Sequence, residues 1–187
     1  MTTSRGFTRR GLLGAFAATA ITAAPTYANA VSFLRGAGDI RRLSIYSQKT
    51  GERVDTIYWI DGEYITDALA EINYVMRDWR TGQTKNIDTR TIDIMTASRN
   101  ILDTTEPYML LSGYRSAATN AMLRRNSRNV AKNSLHIKGQ AADLRLGSRS
   151  VKQVSQVAAS FRAGGVGRYY GSNFVHMDCG DVRTWNG

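Results

Sequence analysis

The chain has 187 residues, a formal net charge of +10 and one cysteine. That length suits a single domain with a substantial core and is short for two, and one cysteine excludes an intramolecular disulfide framework. The 25 Lys and Arg against 15 Asp and Glu favour a polyanionic partner, such as nucleic acid, anionic lipid or an acidic cell-wall polymer; the basic residues are scattered and lack an aromatic-interleaved recognition motif, which argues against nucleic acid.

The N-terminus reads as an export signal over residues 1–30. A basic region containing Arg9 and Arg10 precedes an uncharged stretch from Gly11 to Ala24, and Ala28-Asn29-Ala30 forms a small-residue cleavage site. The paired arginines before Gly11-Leu12-Leu13, with a core of Ala, Gly and Thr, resemble a twin-arginine signal, so the twin-arginine export machinery is the expected partner and the periplasm or another exported location the destination. The uncharged stretch is shorter than the roughly 20 apolar residues of a spanning helix, and Cys179 lies far from any lipid-attachment position, so no stable membrane anchor is expected after cleavage. Loss of Arg5, Arg9 and Arg10 takes the charge from +10 to +7.

Residues 31–40 carry little periodicity and read as a flexible leader, leaving 41–187 as the folded domain. "RRLSIYSQ" and "RVDTIYWI" flank the turn "KTGE" as an antiparallel hairpin. After an Asp61-Gly62 turn, apolar residues from Ile65 to Trp79 recur at three and four, which predicts an amphipathic helix over 64–80. A second helix is predicted through Ile92, Met95 and Leu102, ending before Pro107, followed by a buried strand in "YMLLSGYRS". "SAATNAMLRRN" is helical in composition with Ser116 as its cap. "SVKQVSQVAASFRAG" predicts a last helix closed by Gly164-Gly165, and "VGRYYGSNFVHMDCG" a hairpin about Gly171-Ser172-Asn173. Helices with a mostly antiparallel sheet in one small domain make an α+β fold.

The chemistry concentrates in "SLHIKGQAADLRL" and "FVHMD". The two histidines of the chain, His136 and His176, each stand near an aspartate, Asp143 and Asp178 respectively. A hydrolytic zinc site takes about three His and carboxylate ligands and keeps a fourth position for water; His136, Asp143 and His176 supply that set. On a simple strand His136 and Asp143, seven apart, would point to opposite faces. The chain must therefore bend at Lys138-Gly139-Gln140, which Gly139 permits. His176 and Asp178 fall on one strand face and Met177 and Cys179 on the other, so Cys179 reads as a small buried hydrophobe rather than a ligand.

"SLHIKGQAAD" and "FVHMD" together resemble the SxHxxGxAxD and HxD signatures of the zinc D,D-peptidase superfamily, which includes D-Ala-D-Ala carboxypeptidases, lysostaphin-like enzymes and the hedgehog domain. The twin-arginine signal, "SGYRS" and "RTW" make the MepK-like murein endopeptidases the nearest group, over residue 41 to the end. The resemblance implies a hedgehog/D,D-peptidase-like fold, Zn2+ on His136, Asp143 and His176, a substrate-facing Arg115 that stabilises the oxyanion, and Ser134 beside the bound peptide. It implies a zinc endopeptidase that cuts peptidoglycan cross-links; the alternatives are a D,D- or L,D-carboxypeptidase that trims stem peptides, or a noncatalytic zinc-stabilised wall-binding module. Many members carry a catalytic acid three residues before the last ligand, where this chain has Asn173. Asp178 is then the candidate general base, or else a carboxylate that orients a ligand histidine.

Overall fold

The computed structural model describes residues 37–127 and 130–187. The expected signal over 1–30 and residues 31–36 of the leader lie outside them. The first hairpin forms as its alternation predicts: β1 (Arg41–Ser47) pairs antiparallel with β2 (Arg53–Ile60), burying Leu43, Ile45, Val54 and Tyr58. A turn at Asp61 and Gly62, both at positive φ, leads into the short β3 (Glu63–Tyr64).

Helix α1 (Thr66–Val75) buries Ala68, Ile72 and Val75 and packs on β2. It stops a turn short of the predicted span to Arg80. Tyr114 N–H donates to the Met76 carbonyl at 2.7 Å, and the chain then turns inward to bury Asp78, whose carboxylate accepts the amides of Arg80 and Ser116 at 3.1 and 2.9 Å. Trp79, which a longer helix would have buried, is 39% exposed. The periodicity continued past the point where a tertiary bond ended the helix.

Helix α2 (Thr89–Ile101) starts at Asp88, whose side chain caps Arg90 N–H. β4 (Tyr108–Ser112) and α3 (Ala117–Asn126) follow, α3 capped by Ser116 accepting Thr119 N–H at 3.1 Å. A 3₁₀ turn (Leu135–Lys138) and β5 (Ala141–Arg145) come next. α4 (Val151–Ser160) opens with a reciprocal capping box between Ser150 and Gln153. Its end differs from expectation. Arg162 takes the left-handed conformation, and Gly164 and Gly165 instead allow close strand approach: a Cβ on Gly164 would fall on the Asp178 carbonyl. β6 (Gly165–Tyr169) and β7 (Phe174–Asp178) form the expected second hairpin, with Asn173 at positive φ in its turn, and β8 (Arg183–Asn186) ends the chain.

The strands build one eight-stranded sheet in the order β3-β2-β1-β4-β5-β7-β6-β8, antiparallel except for β1/β4 and β6/β8. Helices α2 and α4 pack against each other and on β1, β6 and β7, with Ile92, Met95, Leu144, Val154, Val175 and Met177 fully buried between. This is the α+β architecture expected. Because strand side chains alternate, burying Val175 and Met177 in this core sends His176 and Asp178 to the opposite face. Cys179 sits at the edge of the core, 5% exposed, as the sequence implied.

Candidate metal centre

The site assembles on the sheet face away from α2 and α4. β5 and β7 pair so that Asp143 lies directly opposite His176, and cross-strand neighbours on one face stand within side-chain reach. His136 arrives from the 3₁₀ turn, which Gly139 ends at φ +73°. A side chain there would be strained and would press on the Asn86 carbonyl 2.5 Å away. The bend required between His136 and Asp143 is therefore present, and it brings the two residues to one point.

There, His176 Nδ1 lies 2.9 Å from Asp143 Oδ1 and 3.2 Å from His136 Nε2, and His136 Nε2 lies 3.3 Å from the same Asp143 oxygen. The outer nitrogens fix the tautomers. His136 Nδ1 is 2.7 Å from the Gly113 carbonyl, which can only accept, so Nδ1 carries hydrogen. His176 Nε2 is 3.0 Å from Asp178 Oδ2 and donates to it. His136 Nε2 thus turns a lone pair inward, and His176 Nδ1 does so once its ring gives up a proton. A carboxylate and two imidazole nitrogens meeting in a buried place need a proton or a metal cation among them, and two imidazoles with a carboxylate are donors that suit zinc with one coordination position left open. These three form a group able to hold a metal ion among the described residues, all three ligand atoms lying within 4.8 Å of one another.

The electrostatics follow the same arrangement. Burial lowers the His136 pKa, only partly opposed by Asp143. Burial also works against a charged His176, but the hydrogen bonds it donates to the Asp143 and Asp178 carboxylates outweigh it and raise that ring to about 9. Burial would raise Asp143, yet the two histidines hold it well below the usual carboxylate range. Asp178 is likewise held low, against burial, by His176 and Arg183.

A cavity of about 510 Å³ opens over the three residues, and its lining includes Arg115, Ser134, Tyr169, Phe174, Arg183 and Trp185. Arg115 is buried, its backbone N–H donating to the His136 carbonyl at 3.2 Å and its Nη2 lying 3.4 Å from Asp143 Oδ2. Burial lowers its pKa, with Asp143 opposing, and its Nε has no hydrogen-bond partner among the described residues. Ser134 precedes the 3₁₀ turn without capping it and is among the residues that line the cavity. Asp178 stands apart from this wall: its side chain is fully buried behind His176. Asn173 is in the hairpin turn and outside the cavity lining.

Reasoning from sequence did not assign four groups that shape this site. The Gly113 carbonyl sets the His136 tautomer, Asp78 pins the turn after Arg115, Arg183 holds Asp178, and Trp185 lies 5.2 Å from the His176 ring. The "RTW" segment was the available signal for the last two.

An α+β sheet that converges two histidines and an aspartate beneath a basic cleft is the architecture of the zinc D,D-peptidase superfamily, a class of metallopeptidases. A sequence model for the family described as peptidoglycan L,D-endopeptidase MepK matches residues 35–185. Peptidoglycan L,D-endopeptidase MepK of Escherichia coli strain K12 is 41% identical over 145 residues, 78% of this chain and 80% of that protein, and its namesake in Shigella flexneri matches equally. A probable peptidoglycan L,D-endopeptidase MepK of Haemophilus influenzae is 41% identical over 148 residues, 79% of this chain and 80% of that protein. The chain belongs to the MepK family.

Proposed function

We propose that the chain hydrolyses an L,D-configured peptide cross-link in peptidoglycan with a zinc ion held by His136 Nε2, Asp143 and His176 Nδ1. The observation that carries this is the convergence of two imidazole nitrogens and a carboxylate oxygen beneath an open cavity. Zinc at such a site lowers the pKa of its water towards 7 and polarises a scissile carbonyl. The names of the relatives, L,D-endopeptidases, support the L,D bond, as found between two diaminopimelates, over the D,D bond between D-alanine and diaminopimelate.

The residues of the chain divide the remaining work. Arg115 lines the cavity beside Asp143, its guanidinium suited to a carbonyl oxygen as negative charge develops on it. Ser134 offers a hydroxyl to the bound peptide from the same rim. Asp178 is assigned to holding His176 rather than to moving the proton of the water: its carboxylate is enclosed and bonded to the His176 nitrogen that faces away from the ligand cluster, the arrangement by which a carboxylate orients a metal-binding histidine. The basic charge suits a wall polymer bearing carboxylates. Action on the wall requires export, for which residues 1–30 supply a twin-arginine signal; no helix among the described residues is long and apolar enough to cross a membrane.

Purified protein incubated with isolated sacculi, with and without chelator, tests the reading. The expected result is loss of L,D cross-linked muropeptides, abolished by chelator and restored by zinc. Release of terminal D-alanine with cross-links intact would make it a carboxypeptidase instead, and a fully zinc-loaded protein that binds sacculi without cleaving them would make it a binding module.

A further inference from the structure

Asp178 has a donor for every lone pair it turns inward, and the donors are unequal. Oδ1 accepts the Gly165 and Gly180 amides at 3.0 and 2.9 Å and Arg183 Nη1 at 3.1 Å. Oδ2, the oxygen that meets His176 Nε2, is shared with a single other group, Arg183 Nη2 at 2.7 Å. The two backbone amides anchor one end of the carboxylate and leave it free to pivot about that end. The fork of Arg183 across both oxygens removes the pivot, because paired parallel bonds fix a plane as well as a distance.

We propose that Arg183 is a positioning residue of the metal centre: it locks the Asp178 carboxylate in plane, and Asp178 in turn locks the His176 ring with Nδ1 towards the ion. The inference rests on the reading of His136, Asp143 and His176 as ligands. Arg183 reaches Asp178 because β8 runs parallel to β6, with Arg183 opposite Gly165. A Cβ on Gly165 would stand 2.5 Å from both Arg183 Nη1 and Asp178 Oδ2, so glycine keeps the contact open. Two residues along the same strand, Trp185 lies beside the His176 ring and donates from Nε1 to Tyr169 Oη at 3.1 Å. The terminal strand is thereby part of the metal centre although it supplies no ligand. Arg183 also borders the cavity, but its Nη1 and Nη2 are committed to Asp178 and the Asp181 carbonyl, which favours positioning over capture of a substrate carboxylate.

The test compares zinc affinity, by competition with a chromophoric chelator, in the full chain and its R183Q and R183K variants, alongside the visible spectrum of the cobalt-substituted forms. R183Q is expected to bind zinc about 10- to 100-fold more weakly, the usual effect of removing an outer partner of a ligand, with an altered cobalt spectrum. R183K, which keeps the charge but not the fork, should fall between R183Q and the parent, and carries the test alone if R183Q does not fold. Arg183 is 44% exposed in its side chain but Asp178 is fully buried, so some loss of melting temperature is expected in the metal-free variants, and zinc affinity is read at a temperature where each remains folded. Zinc affinity equal to that of the parent overturns the proposal, whether the variant then shows a raised KM, which would make Arg183 a substrate contact, or only a lowered melting temperature, which would make it structural. A parent chain that binds no zinc overturns the ligand reading and this inference together.

Discussion

Asp143 and His176 face each other across the β5–β7 ladder, with 2.9 Å between Oδ1 and Nδ1. The register of two strands therefore sets two of the three members of the centre, and the bend at Gly139 delivers the third. Removing any of the three should empty the site. His136→Ala, Asp143→Ala and His176→Ala are each expected to purify without stoichiometric zinc and to leave cross-links in sacculi intact, checked by metal analysis and muropeptide chromatography. Full zinc occupancy in any of them would remove that residue from the ligand set.

Proton and metal compete for the same lone pairs, so zinc affinity should depend on pH. In the metal-free chain His176 is raised to about 9, and a ligand protonated below that value must lose its proton to bind. Zinc affinity is expected to rise about tenfold per pH unit up to about pH 9 and then level off, as followed by competition titrations.

The same rings shape the stability of the metal-free chain. The raised pKa of His176 contributes stability that is fully present below the unfolded value, given as 6.5, and is lost as pH rises towards 9. The lowered pKa of His136 acts in the opposite sense, present above 6.5 and lost as pH falls through its folded value. Urea midpoints of the metal-free chain should therefore fall on the alkaline side between pH 6.5 and 9 through His176, and saturating zinc should flatten that slope.

Arg115 is predicted to act on turnover. Arg115→Ala should lower kcat on cross-linked muropeptides about 10²- to 10³-fold, the usual cost of losing an oxyanion donor, while zinc content stays stoichiometric. A change confined to KM would assign the guanidinium to ground-state binding.

Gly139→Ala places a Cβ in the left-handed region and against the Asn86 carbonyl. Strain of that kind costs of order 1–3 kcal/mol, and a loss in that range is expected from denaturant unfolding of the metal-free variant, with weaker zinc binding because His136 rides on the same turn.

The sequence was most legible where local pattern and tertiary need agree. Alternation in "RVDTIYWI" and "FVHMD", the Ser116 cap and the Gly139 bend all follow from short-range rules, and they account for the two hairpins and the ligand positions. It was least legible where a distant group decides the local outcome. Helix α1 ends early because the Met76 carbonyl is taken by Tyr114 and Asp78 by Ser116, bonds that no periodicity within 64–80 encodes. Gly164-Gly165 reads as a helix stop, yet its use is to let β6 approach Asp178. Which histidine nitrogen Asp178 meets, Nε2, is likewise a matter of geometry rather than spacing.

The ladder between β5 and β7 also makes the centre a check on assembly. Side chains along a strand change face at every step, so a slip of one residue between these strands would carry Asp143 to the helix-covered side and bring Leu144 or Ala142 to the cavity in its place. On the proposed ligand set, no partly correct pairing would hold the ion. A chain that had bound a metal there would therefore already have passed inspection of its central strand pairing, and a peptidoglycan endopeptidase built this way would become competent only after its own fold is in register.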